Sequence, residues 1–179
     1  MLLGEDSELA YRLVQRGAVV VPELETVVWH LGRPRTEARQ EEAQSVARPF
    51  IENRVPRHFT RRAAPVRSWE VPFVDVVVET GEETYEVVTE KVDRLLAEEP
   101  RDIRVTLVGS WERVTPGRNG GVDDPEVDLR LLHEHYRCEP RVRCASRTPE
   151  ADPDVPFVLS LPSGVVLRSG IVARMAGEA

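Results

Sequence analysis

The stretch VDVVVETGEETYEVVTEKVDRLLAEEPRDIRVTLVG, residues 74–109, decides the fold. Its opening valines, with the three residues before them, read as a strand VPFVDVVVE (71–79). Residues 82–99, EETYEVVTEKVDRLLAEE, read as a helix, with Tyr85, Val88, Val92, Leu95 and Leu96 on one side. Residues 103–109, IRVTLVG, return to a strand. A strand, a helix and a strand of these lengths form a parallel pair joined by a right-handed crossover.

The same alternation continues toward the C-terminus. DDPEVDLRLLHEHY (123–136) reads as a helix with Asp124 as N-cap and Pro125 at the first helical position. RVRCA (141–145) and VPFVLSL (155–161) read as strands. SGIVARMA (169–176) starts a last helix with Ser169 as cap. Residues 71–179 therefore read as an α/β module.

Toward the N-terminus the texture differs. LGEDSELAYRLVQRGAVVVPELETVVWHLGR (3–33) begins with a helix that Asp6 or Ser7 can cap and that runs to about Arg16. Leu9 with Leu13 and Ala10 with Val14 lie four apart on one face, and Gly17 suits the left-handed residue after a helix. AVVVP (18–22) reads as a strand stopped by Pro22, and TVVWH (26–30) as a second one. Residues 1–32 thus form one segment. Residues 33–70 form an Arg- and Pro-rich connection, with a helix over Thr36–Arg48 that Pro49 limits.

Composition narrows the function classes. The chain has 179 residues and a net charge of −7, which argues against nucleic-acid binding by its whole surface. Charge is uneven: Arg33 to Arg67 holds nine Arg and four Glu, a net +5, which leaves −12 elsewhere. That basic stretch is either a solvated connector or a patch for anionic lipid head groups. It has few stacking aromatics, only Phe50 and Phe59, so a nucleic-acid partner is not expected. No apolar run reaches the roughly 20 residues of a membrane span, and the first residues lack the pattern of a signal peptide. With two cysteines, Cys138 and Cys144, this reads as a cytoplasmic chain with reduced thiols, the Arg-rich stretch allowing membrane association. His133 and His135 lie about 200° apart around a helix and cannot chelate one ion there. Gly117–Gly121 is a turn without the lysine of a phosphate loop.

The run Gly4, Glu5, Asp6, Glu8, Leu9, Tyr11, Arg12, Leu13, Gly17, followed by Trp29 and His30, resembles the acceptor-side segment of family 2 glycosyltransferases of the GT-A fold. Residues 74–109 and 155–175 resemble, more loosely, the front of a second nucleotide half of the same family. The resemblance implies parts of a GT-A-like, three-layer α/β/α fold, incomplete in this chain. The first nucleotide half is expected before Met1, the chain being a fragment or its gene start having been assigned too late. It also implies sugar transfer from a nucleotide-sugar donor to a hydroxyl of a glycan or lipid-linked acceptor. Asp6 is then the general base, with Glu5, Arg12 and Trp29 binding substrate. His30 becomes a ligand to a divalent cation, Mn or Mg. The second module departs from the pattern. Leu161, Pro162, Ser163 and Gly164 stand where an Asp-x-Asp is expected, and Gly109 and Ser110 where an Asp commonly follows the second strand. That implies a degenerate copy, so the isolated chain is expected not to turn over. The alternative is a non-catalytic pseudo-glycosyltransferase that serves as an interaction module.

The residues by themselves also have plainer readings. Asp6 can be a helix cap, Glu5 a solvated charge near a helix start, His30 a structural histidine and Trp29 a core residue.

Overall fold

The computed structural model describes residues 4–29, 31–32, 39–56, 67–99, 101–115, 121 and 123–177. The chain forms two compact units, Met1–Arg62 and Ala63–Ala179.

Unit 1 is a pair of helices, α1 (Glu5–Gln15) and α2 (Gln40–Arg54). Gly4, not Asp6 or Ser7, occupies the cap position of α1, at φ 98. Only glycine adopts that conformation without strain. At the other end the N–H of Ala18 donates to Leu13 O at 3.0 Å and that of Gly17 to Val14 O at 2.9 Å. With Gly17 at φ 84 this closes the helix in a Schellman motif, as the sequence predicts.

α2 runs through Pro49, which the sequence reading had placed as its limit. Pro49 removes one backbone bond, a cost of about 3 kcal/mol within a helix. Flanking contacts offset it. Arg48 Nε donates to Glu52 Oε1 at 2.6 Å across the proline, and Arg54 reaches Glu8 of α1 at 3.3 Å. Ile51 lies directly over Gly4. A Cβ on Gly4 would sit 1.9 Å from Ile51 Cδ1 and 2.8 Å from Cγ1. Gly4→Ala is therefore expected to loosen α1 from α2. It should accelerate amide exchange throughout α1 and destabilise this helix pair by about 2 kcal/mol. Adding Ile51→Ala should restore only the steric part. Unchanged exchange in Gly4→Ala would refute the contact.

The two expected strands after α1 do not form over their described residues. Residues 18–21 and 26–29 belong to no helix and no ladder. Val19 is 84% exposed, Trp29 82% and Leu31 97%. β-branched composition favours an extended backbone, but a strand needs a neighbour to bond. His30 lies outside the described residues, as do 33–38 and 57–66 of the connection.

Unit 2 is α/β. Its strands are β1 (Val74–Glu79), β2 (Ile103–Val108), β3 (Val142–Ala145) and β4 (Phe157–Leu161). They form one all-parallel sheet in the order β3-β2-β1-β4. Helices α3 (Tyr85–Ala97), α4 (Val127–Tyr136) and α5 (Ile171–Gly177) complete it. Two successive right-handed crossovers step in one direction, so α3 and α4 pack on the same face. Val76, Val78, Val105 and Leu107 of the strands meet Val88, Val92 and Leu95 of α3, Leu132 and Tyr136 of α4, and Val172 of α5 in one core. The alternate strand residues, Asp75, Arg104, Thr106 and Arg143, occupy the opposite face.

α4 begins at Val127, later than the sequence suggests. Asp124 Oδ1 accepts the N–H of Glu126 at 3.0 Å, so its cap closes a turn ahead of the helix. α3 and α4 are tied at their starts, where Tyr85 N–H donates to Asp128 Oδ1 at 2.7 Å. α5 starts at Ile171, after Gly170 at φ 75 rather than at a Ser169 cap. The N–H of Gly170 donates to Glu98 Oε1 at 2.7 Å. No helix among the described residues is long and apolar enough to cross a membrane.

Candidate functional site

Glu5 and Asp6 stand in the first turn of α1, and both are exposed. Because Gly4 holds the cap position, Asp6 is not the helix cap. Among the described residues neither carboxylate accepts a hydrogen bond or joins an ion pair. Both stand at the positive end of the helix, where negative charge suits the dipole. Arg12 sits two turns on, 3.9 Å from Glu8. Trp29 is exposed in the segment after α1. The structure thus brings Glu5 and Asp6 together on one helix turn. It shows no contact joining Arg12 or Trp29 to them.

The second place of interest is the carboxyl edge of the sheet in unit 2. The strand order reverses between β1 and β4, and in open α/β sheets ligands bind at such a reversal. Here the chain fills it with its own groups. Lys91 Nζ donates to Glu83 Oε1 at 2.5 Å and to Oε2 at 2.6 Å. The N–H of Gly164, in the turn after β4, donates to the same Oε1 at 2.5 Å. One carboxylate therefore ties the start of α3 to the turn at Leu161–Gly164. Beside it, Gly109 at the end of β2 has no room for a side chain. A Cβ there would lie 2.6 Å from Thr80 Oγ1 and 3.2 Å from Leu129 Cδ2. Thr80 Oγ1 is itself engaged, donating to Val108 O at 3.0 Å. The turn after β4 is thus held by the Glu83 bridge, and the end of β2 is closed by tight packing.

The opposite face of the sheet carries a second charged group that the sequence reading passed over. Asp75 is buried on β1 and accepts from Arg104 of β2, at 2.5 Å from Nη2 and 3.2 Å from Nε. Arg143 of β3 approaches the same carboxylate at 3.7 Å and donates from Nε to Thr106 Oγ1 at 2.7 Å. Desolvation lowers the pKa of Arg143, and repulsion from Arg104 lowers it further, against the pull of Asp75 and Asp152. Between α3 and α4, Tyr136 donates to Asp93 Oδ1 at 2.8 Å. Burial, then that carboxylate, push the phenol well above its ordinary value. Tyr85 Oη lies 2.8 Å from His135 Nδ1, and His133 takes no part in that contact. A signal for Lys91 was present: it lies on the apolar stripe of α3 between Val88 and Leu95, where a lysine requires a carboxylate.

Cys138 and Cys144 are free and exposed. The described arginines of the basic stretch have intramolecular partners. Arg39 pairs with Glu42, Arg48 with Glu52 and Arg54 with Glu8, while Arg67 stacks 4.2 Å over Trp69. No group of three or more His, Cys, Asp or Glu side chains able to hold a metal occurs among the described residues. No family model, curated protein or solved structure matches the chain.

Proposed function

We propose that residues 4–32 are an acceptor-side element of a glycosyltransferase and that unit 2 is a non-catalytic α/β module. The observation that carries the first part is the free carboxylate of Asp6. It lies exposed at a helix start, and no side chain caps that helix, Gly4 holding the cap position. A general base needs an ionised, unengaged carboxylate within reach of a hydroxyl. In the reaction an acceptor oxygen attacks the anomeric carbon and the bond to the nucleotide diphosphate breaks. Asp6 takes the hydroxyl proton, and configuration inverts. Glu5 adds an acceptor for sugar hydroxyls. The exposed side chains of Val19–Val21, Leu24, Val27–Trp29 and Leu31 support the reading too, as apolar surface suited to cover by a nucleotide-binding half.

For unit 2 the supporting observation is the filled edge of the sheet. Glu83 occupies both Lys91 and the N–H of Gly164, and Gly109 is packed against Thr80 and Leu129, so the chain's own groups take up the donors that a diphosphate would need there. The whole chain titrated calorimetrically with UDP, GDP and TDP, with and without Mn²⁺, should give no saturable heat. Micromolar binding would overturn the non-catalytic reading. The base is tested separately. Residues 4–32, grafted in place of the matching segment of an active family 2 enzyme, should keep transfer. Asp6→Asn in that graft should lower kcat by about a hundredfold or more. A graft that stays active with Asp6→Asn would remove Asp6 as base.

A further inference from the structure

Lys91 is the only lysine in a chain with 24 basic residues. It is buried, with 7% of its surface exposed. Its two bonds to Glu83 leave one of three ammonium donors without a protein acceptor among the described residues. A shallow, open depression of about 70 Å³ lies beside the same lysine, lined by Val87, Glu90, Lys91, Arg94, Val166 and Leu167. Its walls are apolar at Val87, Val166 and Leu167. Its second cation, Arg94, is held to Leu167 O at 2.8 Å and to the exposed Glu90 at 2.8 Å.

The Glu83 carboxylate shows what these donors fit. Lys91 spans both of its oxygens, and Gly164 N–H adds a third bond to one of them. Lys91 joins the two: its ammonium holds the carboxylate by charge-assisted bonds and its side chain lines the depression, and such bonds beside apolar walls suit a small carboxylate. We propose that the groove between α3 and the segment after β4 binds a small apolar carboxylate, whose head displaces Glu83 from Lys91. Glu83 is then an internal stand-in for that ligand. Its displacement also releases the N–H of Gly164, so binding loosens the turn after β4. This site is independent of the glycosyltransferase reading.

The test uses the full chain with sodium hexanoate and sodium acetate at matched ionic strength. In the wild type, hexanoate should shift the Gly164 amide resonance saturably, in the mM range. Glu83→Gln removes the competitor and keeps the volume, so affinity should rise about tenfold. Lys91→Met should abolish binding. Each methylene laid on Val87, Val166 and Leu167 should tighten binding by about threefold, so hexanoate should exceed acetate by at least tenfold. Equal action of the two anions, or unchanged binding in Lys91→Met, would overturn the site. If the variants fold poorly, the wild type still decides. Hexanoate should protect Lys91 from an amine-acylating ester, located by mass spectrometry, and no protection at saturating hexanoate would also overturn it.

Discussion

Asp75→Ala should cost unit 2 about 3–5 kcal/mol, measured as a lowered midpoint of urea unfolding followed through Trp69 and Trp111. Asp75 is 6% exposed and stands between two guanidiniums, bidentate to Arg104 and 3.7 Å from Arg143. Removing the carboxylate leaves two like charges facing each other on the sheet, the Arg104 side chain only 15% exposed. The loss is larger than the pair's own contribution, because a buried charge without a partner bears its full desolvation cost. Asp75→Asn keeps a hydrogen-bond acceptor and should fall between Ala and wild type. Exchanging Asp75 and Arg104 together for apolar residues should recover most of the loss, since the pair then leaves no orphan. An Asp75→Ala variant within 1 kcal/mol of wild type would show that water reaches Arg104 freely and that the cluster contributes little.

Leu132→Ala should destabilise the same unit by about 3 kcal/mol. Leu132 is fully buried on α4 and joins the core formed by α3 and the sheet. Alanine there opens a cavity that rigid neighbours, Val88, Val92 and Leu107 among them, fill only in part. The control is next to it. Leu131 is 45% exposed, and Leu131→Ala should stay within about 0.5 kcal/mol of wild type. Equal effects at 131 and 132 would mean that α4 is rotated from the orientation described above.

The α/β core was legible because its signals are local. Val88, Val92 and Leu95 repeat at helical spacing, and the valines of β1 read as a strand, so β1, α3 and β2 form where the sequence puts them, β1 and α3 each starting three residues later than read. The misreadings come from partners that composition does not carry. Val19–Val21 and Val27–Trp29 look like strands, yet a ladder needs a second strand and none pairs with them among the described residues. Pro49 looks like a stop, yet contacts at Arg48, Ile51 and Arg54 carry the helix past it. The carboxylates of Glu5 and Asp6 were visible as a motif. That Gly4 caps the helix, leaving Asp6 unengaged, is a matter of one backbone angle. The bridges of Glu83 and Asp75 were invisible for a different reason. They join residues brought together by strand register and by a turn 81 positions away, neither of which periodicity encodes.

The sheet order also sets an order of events in time. The pair β1–β2 aligns Val74 with Ile103, while β1–β4 aligns Val74 with Phe157. The second closure spans nearly three times as much chain and costs about 1 kcal/mol more in loop entropy. Strands β1, β2 and β3 can therefore assemble in sequence as the chain leaves the ribosome, each upon its predecessor. β4 arrives last, at the far side of a strand already folded, and until then one edge of β1 stands unpaired. A nascent chain halted between β3 and β4 exposes that edge to any other strand in its surroundings, and this is the interval in which unit 2 is most open to aggregation.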